Sequence, residues 1–143
     1  MDDGREERIA AWIAGTGHLA PITEFLGVRP VDLQPGNVTV EMDVGPRFHS
    51  PLGLVHGGIL VDLADVAMGC AVATLLSPDD SFVTTDLHVA YLKGVREGRL
   101  EARAFVVKDG RTTIYLEAEV RHDGHLVAKL SSTCVVRRAQ GST

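Results

Sequence analysis

The run from Gly57 to Leu76, GGILVDLADVAMGCAVATLL, limits what this chain can fold into more than any other segment. It holds only two charged residues, Asp62 and Asp65, and is rich in alanine and leucine. That composition predicts one helix, roughly 30 Å long at ~1.5 Å per residue. Apolar groups cover nearly every side, so the helix is expected to be buried rather than half exposed. The two aspartates argue against a membrane span, because charge is costly at the centre of a bilayer. Ser77-Pro78 is the expected stop.

The residues beyond that helix are patterned for strands. Segments 82–92, 100–108, 112–122 and 126–137 are β-branched or alternate with period two. Asp109-Gly110 and Asp123-Gly124 separate the last three, and such dipeptides favour two-residue hairpins, so this half reads as an antiparallel meander. Upstream, residues 5–15 read as an amphipathic helix with Ile9, Trp12 and Ile13 on one side. Residues 20–26 form a further helical turn stopped by Gly27, and 28–33 and 37–44 are strands around Pro35-Gly36. Residues 45–55 carry two prolines and two glycines and read as a loop. The tail after Arg138 reads as loose. One long helix with long antiparallel strands gives an α+β class, a sheet curled around a central helix. The length of 143 residues suits a single domain, 1–143, with a core of its own. One such layer leaves a sheet edge and a broad face open. A second copy would cover them, so a homo-oligomer is expected.

Composition excludes several classes. A net charge of −5 is the wrong sign for nucleic-acid binding. With 45% hydrophobic residues the chain is not intrinsically disordered. Two cysteines, Cys70 and Cys134, are too few for a disulfide scaffold and read as buried reduced thiols of a cytoplasmic protein. The start, MDDGREER, does not have the pattern of a signal peptide. His122 and His125 flank a turn without a third ligand, so neither metal nor cofactor is expected. The basic clusters Lys93, Arg96 and Arg99, and Arg137-Arg138, read as solvated loop charge.

Candidate chemistry concentrates in His56-Gly57-Gly58 and the helix that follows. Glycine lets another molecule approach the backbone, and the first helical turn offers unpaired N–H groups. The pair is therefore either an oxyanion site or a turn that lets the helix pack tightly. Asp62 and Asp65, three residues apart, share one face with Gly58 and Gly69. That face either borders solvent or holds a carboxylate in a cleft as base or nucleophile. His56 is either a structural hydrogen-bonder or a catalytic group.

The motif HGG-x4-L-x-D, His56 to Asp65, resembles the signature of hotdog-fold acyl-CoA thioesterases, in particular the phenylacetate-pathway type. The similarity extends upstream through Pro51-Leu52-Gly53. It continues downstream in Thr84-Thr85-Asp86-Leu87 and Tyr91-Leu92, covering about residues 20–137 in layout. The resemblance implies a hotdog fold and hydrolysis of an acyl-CoA thioester to free acid and CoA by a dimer of dimers. Asp65 would be the catalytic carboxylate, activating water or attacking the thioester. The Gly57 N–H, next to Gly58, would polarise the carbonyl. His56 would hold the loop and helix start, and Thr84 would position the water. Many members carry Asn where this chain has Ser50, and Ser50 or His49 would substitute for that amide. Two rivals on the same fold are a non-catalytic acyl-CoA-binding module and a hydratase or dehydratase. Gly57 and Asp65 are eight residues apart on one helix, about 12 Å along its axis. One helix cannot bring both to a single carbonyl, whereas two copies related by a dyad can.

Overall fold

The computed structural model describes residues 4–139. Along the chain run α1 (Arg5–Ile13), α2 (Pro21–Leu26), β1 (Arg29–Gln34), β2 (Asn37–Val44), α3 (Gly57–Ala73), β3 (Ser81–Tyr91), β4 (Gly98–Asp109), β5 (Thr113–His122) and β6 (His125–Arg137). The six strands form one antiparallel sheet in the order β1-β2-β4-β5-β6-β3, wrapped around α3. This is the hotdog fold.

Period-two patterning produces the wrap. Val38, Val40 and Met42 of β2, Leu100 and Ala102 of β4, and Ile114, Leu116 and Ala118 of β5 are fully buried. Against them α3 packs Leu60, Leu63, Ala64, Ala67, Met68, Ala71 and Val72. The alanines on this face keep the helix close to the sheet.

The other face of α3 corrects the expectation of all-round burial. Gly58, Asp62 and Asp65 are exposed, and Val61, Val66 and Cys70 are half-buried. Only one side of the helix has a sheet to lie on. The helix also stops at Ala73, before the expected Leu76. The Thr74 hydroxyl turns back to donate to the Ala71 carbonyl at 2.6 Å, and it accepts the Gly36 N–H at 2.8 Å. Leu75 and Leu76 then bond three residues back instead of four.

The meander holds for β4, β5 and β6, but β3 does not precede them in the sheet. It pairs along its length with β6, and the Leu92 and Lys93 N–H groups both donate to the Val127 carbonyl. That leaves β3 an edge strand. The turn at Asp123-Gly124 is a two-residue hairpin with both φ values positive, 51° and 78°. The turn at Asp109-Gly110 is longer, leaving three residues between β4 and β5 after a register shift at Val106/Lys108. A side chain at Gly110 would run into the Thr113 carbonyl.

The N-terminal helix ends at Ile13, which is 53% exposed, so only Trp12 of the predicted apolar side is fully buried. Residues 140–143 of the expected loose tail lie outside the described residues. Arg138 is not solvated loop charge: it pairs with the fully buried Asp80 at 3.7 Å and donates to the Gly110 and Arg111 carbonyls. Cys70 is half-buried, Cys134 is buried, and both are free thiols. Among the described residues no helix is long and apolar enough to cross a membrane.

Candidate active site

The loop before α3 is pinned on both sides. The Val55 N–H donates to the Val95 carbonyl at 2.7 Å, and the His56 N–H donates to the Phe48 carbonyl at 2.8 Å. His56 then caps the helix: its Nδ1 accepts the Gly58 N–H at 3.3 Å. This places the proton of a neutral ring on Nε2, which is left to face outward. Ile59 N–H donates to the His56 carbonyl, so two of the first N–H groups are satisfied locally. Among the described residues the Gly57 N–H meets no acceptor.

Gly57 has a second constraint. The Tyr91 ring, at the end of β3, lies so close that a Cβ at Gly57 would stand 2.8 Å from the phenol oxygen. The two face a cleft of about 360 Å³ that also takes in Leu54, Leu60 and Lys93. The sequence alone assigns Tyr91 no role in the site. Its signal was the invitation to close approach that the first glycine of the helix makes, and the spacing could not say which residue accepts it.

Ser50 and His49 sit on the same loop. The Ser50 hydroxyl oxygen accepts the Leu52 N–H at 3.2 Å, and the His49 Nε2 lies 2.7 Å from the Arg96 carbonyl oxygen. Both side chains therefore brace the loop. His49, His56, Gly58 and Asp62 share a cleft of about 350 Å³ with Arg47 and Phe48.

Asp65 lies elsewhere. It opens onto a third cleft of about 390 Å³, between the outer face of α3 and the pair α1–α2. Its carboxyl reaches solvent on one side and apolar groups on the other. Burial pushes its pKa up, and the nearby Asp62 charge adds to the shift. Asp62 is also shifted up by burial. Thr84, on β3, has its hydroxyl 3.7 Å from the Cys134 sulfur. Cys134 is shifted up chiefly by burial, against the Thr84 hydrogen bond, with the Asp65 and Asp86 charges adding to the rise. A bulge between Thr84 and Asp86 re-aims the strand at this point.

The predicted residues thus do not form one cluster within one chain. Gly57, Gly58, His56, Ser50 and His49 gather at the start of α3, Asp65 stands about two turns further along the helix, and Thr84 lies on β3. Gly57 and Asp65 line no common cleft among the described residues.

Residues 52–129 match the family model described as Thioesterase superfamily. A protein named as an esterase from Saccharolobus solfataricus is 30% identical over 120 residues, 83% of this chain and 85% of that protein. The 1,4-dihydroxy-2-naphthoyl-CoA hydrolase of Listeria monocytogenes is 26% identical over 99 residues, 69% of this chain and 80% of that enzyme. A solved variant of the phenylacetic acid degradation protein PaaI from Thermus thermophilus is 32% identical with a TM-score of 0.77, covering 84% of this chain and all of that one.

Proposed function

Because the chain belongs to the thioesterase superfamily, we propose that it hydrolyses an acyl-CoA thioester to the free carboxylic acid and CoA, at a site shared by two subunits. The observation that carries the shared site is the separation of Gly57 from Asp65 along α3, about 12 Å at eight residues. A general base and an oxyanion donor must each lie about 3 Å from one reacting group. In the proposed dimer, that requirement falls to the Gly57 N–H of one subunit and the Asp65 carboxylate of its dyad mate.

In this reading the free Gly57 N–H, at the positive end of the helix, receives the thioester oxygen as it becomes negative. Asp65 either takes a proton from a water held by Thr84, or attacks the carbonyl itself to give an anhydride that water then opens. On either route the CoA thiolate leaves and the acid remains. His56 fixes the helix start through its bond to Gly58, and Ser50 and His49 hold the loop around the acyl carbonyl. The exposed face of α3 and the unpaired edge of β3, which exposes Val83 and Tyr91, are what a second copy would cover. A dimer of such dimers, working in the cytoplasm with its two thiols reduced, completes the proposal.

Ser50 favours one second reading, a module that binds acyl-CoA without cleaving it, because its hydroxyl oxygen already accepts the loop's own Leu52 N–H. Free-thiol release from a panel of acyl-CoAs decides between them. Release that disappears in Asp65→Asn supports hydrolysis. Saturable binding without release supports the module.

A further inference from the structure

Gly57 is a glycine for want of space, and one side chain takes that space. Its φ is not in the left-handed region, so the backbone conformation alone would accept a side chain there. A Cβ, however, would stand 2.8 Å from both Cζ and the hydroxyl oxygen of Tyr91, and 3.0 Å from Cε1. The phenol end of the ring, not its body, rests against the helix start. Gly58 has no such neighbour, since a Cβ there meets the His56 ring at 3.4 Å.

The fold holds this approach in place. Tyr91 ends β3 and pairs with Ala128 of β6. The Leu92 and Lys93 N–H groups then donate to the Val127 carbonyl, and the Val95 carbonyl accepts the Val55 N–H of the loop that leads into α3. The segment carrying Tyr91 and the segment carrying Gly57 are thereby fastened side by side. Among the described residues the Tyr91 hydroxyl meets no hydrogen-bond partner, and neither does the Gly57 N–H.

We infer that Tyr91 is a catalytic residue, whose hydroxyl donates a second hydrogen bond to the acyl carbonyl oxygen beside that of the Gly57 N–H. This role rests on the reading of Gly57 as the oxyanion donor. A backbone nitrogen lies about 2.5 Å from the Cβ of its own residue. The phenol oxygen is therefore within about 5.3 Å of the Gly57 nitrogen. One oxygen can accept from both donors at about 2.8 Å each. In the first turn of a helix the N–H and the Cα–Cβ bond both lean toward the N-terminus, so the phenol lies on the side that the N–H faces. When the carbonyl carbon is attacked, its oxygen gains the electron pair and both hydrogen bonds strengthen. When the CoA thiolate leaves, the pair returns to the carbonyl, and the phenol keeps its proton throughout. In the proposed dimer the second copy covers the edge of β3, and a donor shielded from water counts for more. Among the residues lining this cleft, Lys93 is the other side chain able to donate.

The experiment has two arms, both on the full chain, with Tyr91→Phe and Lys93→Met. Tyr91→Phe keeps the ring against Gly57 and removes the hydroxyl, so a purely packing role would leave it indistinguishable from the wild type. In the first arm kcat and KM are measured for acetyl-, octanoyl- and phenylacetyl-CoA. Tyr91→Phe is expected to lower kcat about ten- to hundredfold on every substrate turned over, with KM and the melting temperature little changed. The second arm needs no turnover. Two stable analogues of octanoyl-CoA are titrated by calorimetry: the ketone in which a methylene replaces the thioester sulfur, and S-octyl-CoA, which has no carbonyl. Tyr91→Phe is expected to weaken the ketone severalfold and leave the thioether unchanged. The infrared carbonyl stretch of the bound ketone is expected to lie lower in the wild type than in Tyr91→Phe. Turnover that is unchanged in Tyr91→Phe, or a loss confined to KM, overturns the assignment and leaves the thioesterase reading standing. A carbonyl stretch identical in the two proteins overturns it as well. A kcat loss in Lys93→Met with none in Tyr91→Phe assigns the role to the ammonium and overturns it too. If no acyl-CoA is turned over, the hydrolase reading fails, while a stretch that moves in Tyr91→Phe still upholds Tyr91 as a donor to the carbonyl.

Discussion

The Tyr91 ring rests on Gly57 with no room for a side chain between them: a Cβ on Gly57 would stand 2.8 Å from the Tyr91 hydroxyl. This contact joins the end of β3 to the first residue of α3, whose N–H meets no acceptor among the described residues. Alanine at Gly57 must push the ring away or tilt the helix start. Tyr91 is 53% exposed and can swing outward, and alanine suits a helix better than glycine, so the fold should tolerate the change. Gly57→Ala keeps the N–H but sets a methyl group beside it where the carbonyl oxygen must approach, and is expected to lower kcat/KM by about 10²-fold, the size of the effect of an oxyanion donor, with little change in the thermal melt. Undiminished turnover would remove Gly57 from the mechanism.

The paired aspartates give a pH signature. Burial and the Asp62 charge both hold the Asp65 carboxyl above the ordinary carboxylate range. Hydrolysis needs Asp65 ionised, so activity should rise with pH through that raised value. Asp62→Asn removes the neighbouring charge and should move the acid limb of the kcat/KM profile to lower pH. A limb that stays put, or moves up, would mean that the two carboxyls do not interact.

The same shift has a consequence for stability. A carboxyl whose folded pKa is raised favours the folded state when protonated, and that contribution is lost as pH rises from the unfolded value, about 3.9, through the folded one. At neutral pH the ionised Asp65 therefore opposes folding. Asp65→Asn should melt higher than the wild type at pH 7, and the difference should vanish below the ordinary carboxylate pKa. Melting curves at the two pH values test this, and a variant that melts lower at pH 7 would contradict it.

Asp80 and Arg138 make a separate, structural prediction. Asp80 is fully buried, accepts the Ser77 and Ala139 N–H groups, and faces Arg138. Arg138→Ala leaves that carboxylate buried without this cation and should cost about 3 kcal/mol in urea unfolding. A loss within about 0.5 kcal/mol would show the two backbone N–H groups to be enough.

The start of α3 was legible in the sequence because several local signals agree there: a capping residue, two glycines and an apolar run. Its end was not, because Leu75 and Leu76 continue the apolar pattern while the Thr74–Gly36 bond that ends the helix spans 38 residues. The strands were found by their alternation, but no alternation says that β3 pairs with β6 instead of β4. That choice follows from where the chain returns after α3. Arg138 was misread for the same reason, since its partner Asp80 is 58 residues away in the chain and a neighbour only in the fold. His56, Gly57 and Asp65 were marked as candidates by a short motif. Tyr91 and the cleft under α1 and α2 depend on contacts between distant segments and carried no local mark.

Subunit mixing tests the shared site most directly. Asp65→Asn and Gly57→Ala proteins, each expected to keep at most about one per cent of wild-type activity alone, are unfolded together, refolded in equal amounts and assayed. If Gly57 and Asp65 act across the dyad, each mixed dimer regains one intact site, and random pairing restores about a quarter of wild-type activity. If both residues serve a site within one chain, no mixture recovers activity, and a mixture that stays inactive while mixed dimers are demonstrably present would contradict the shared site.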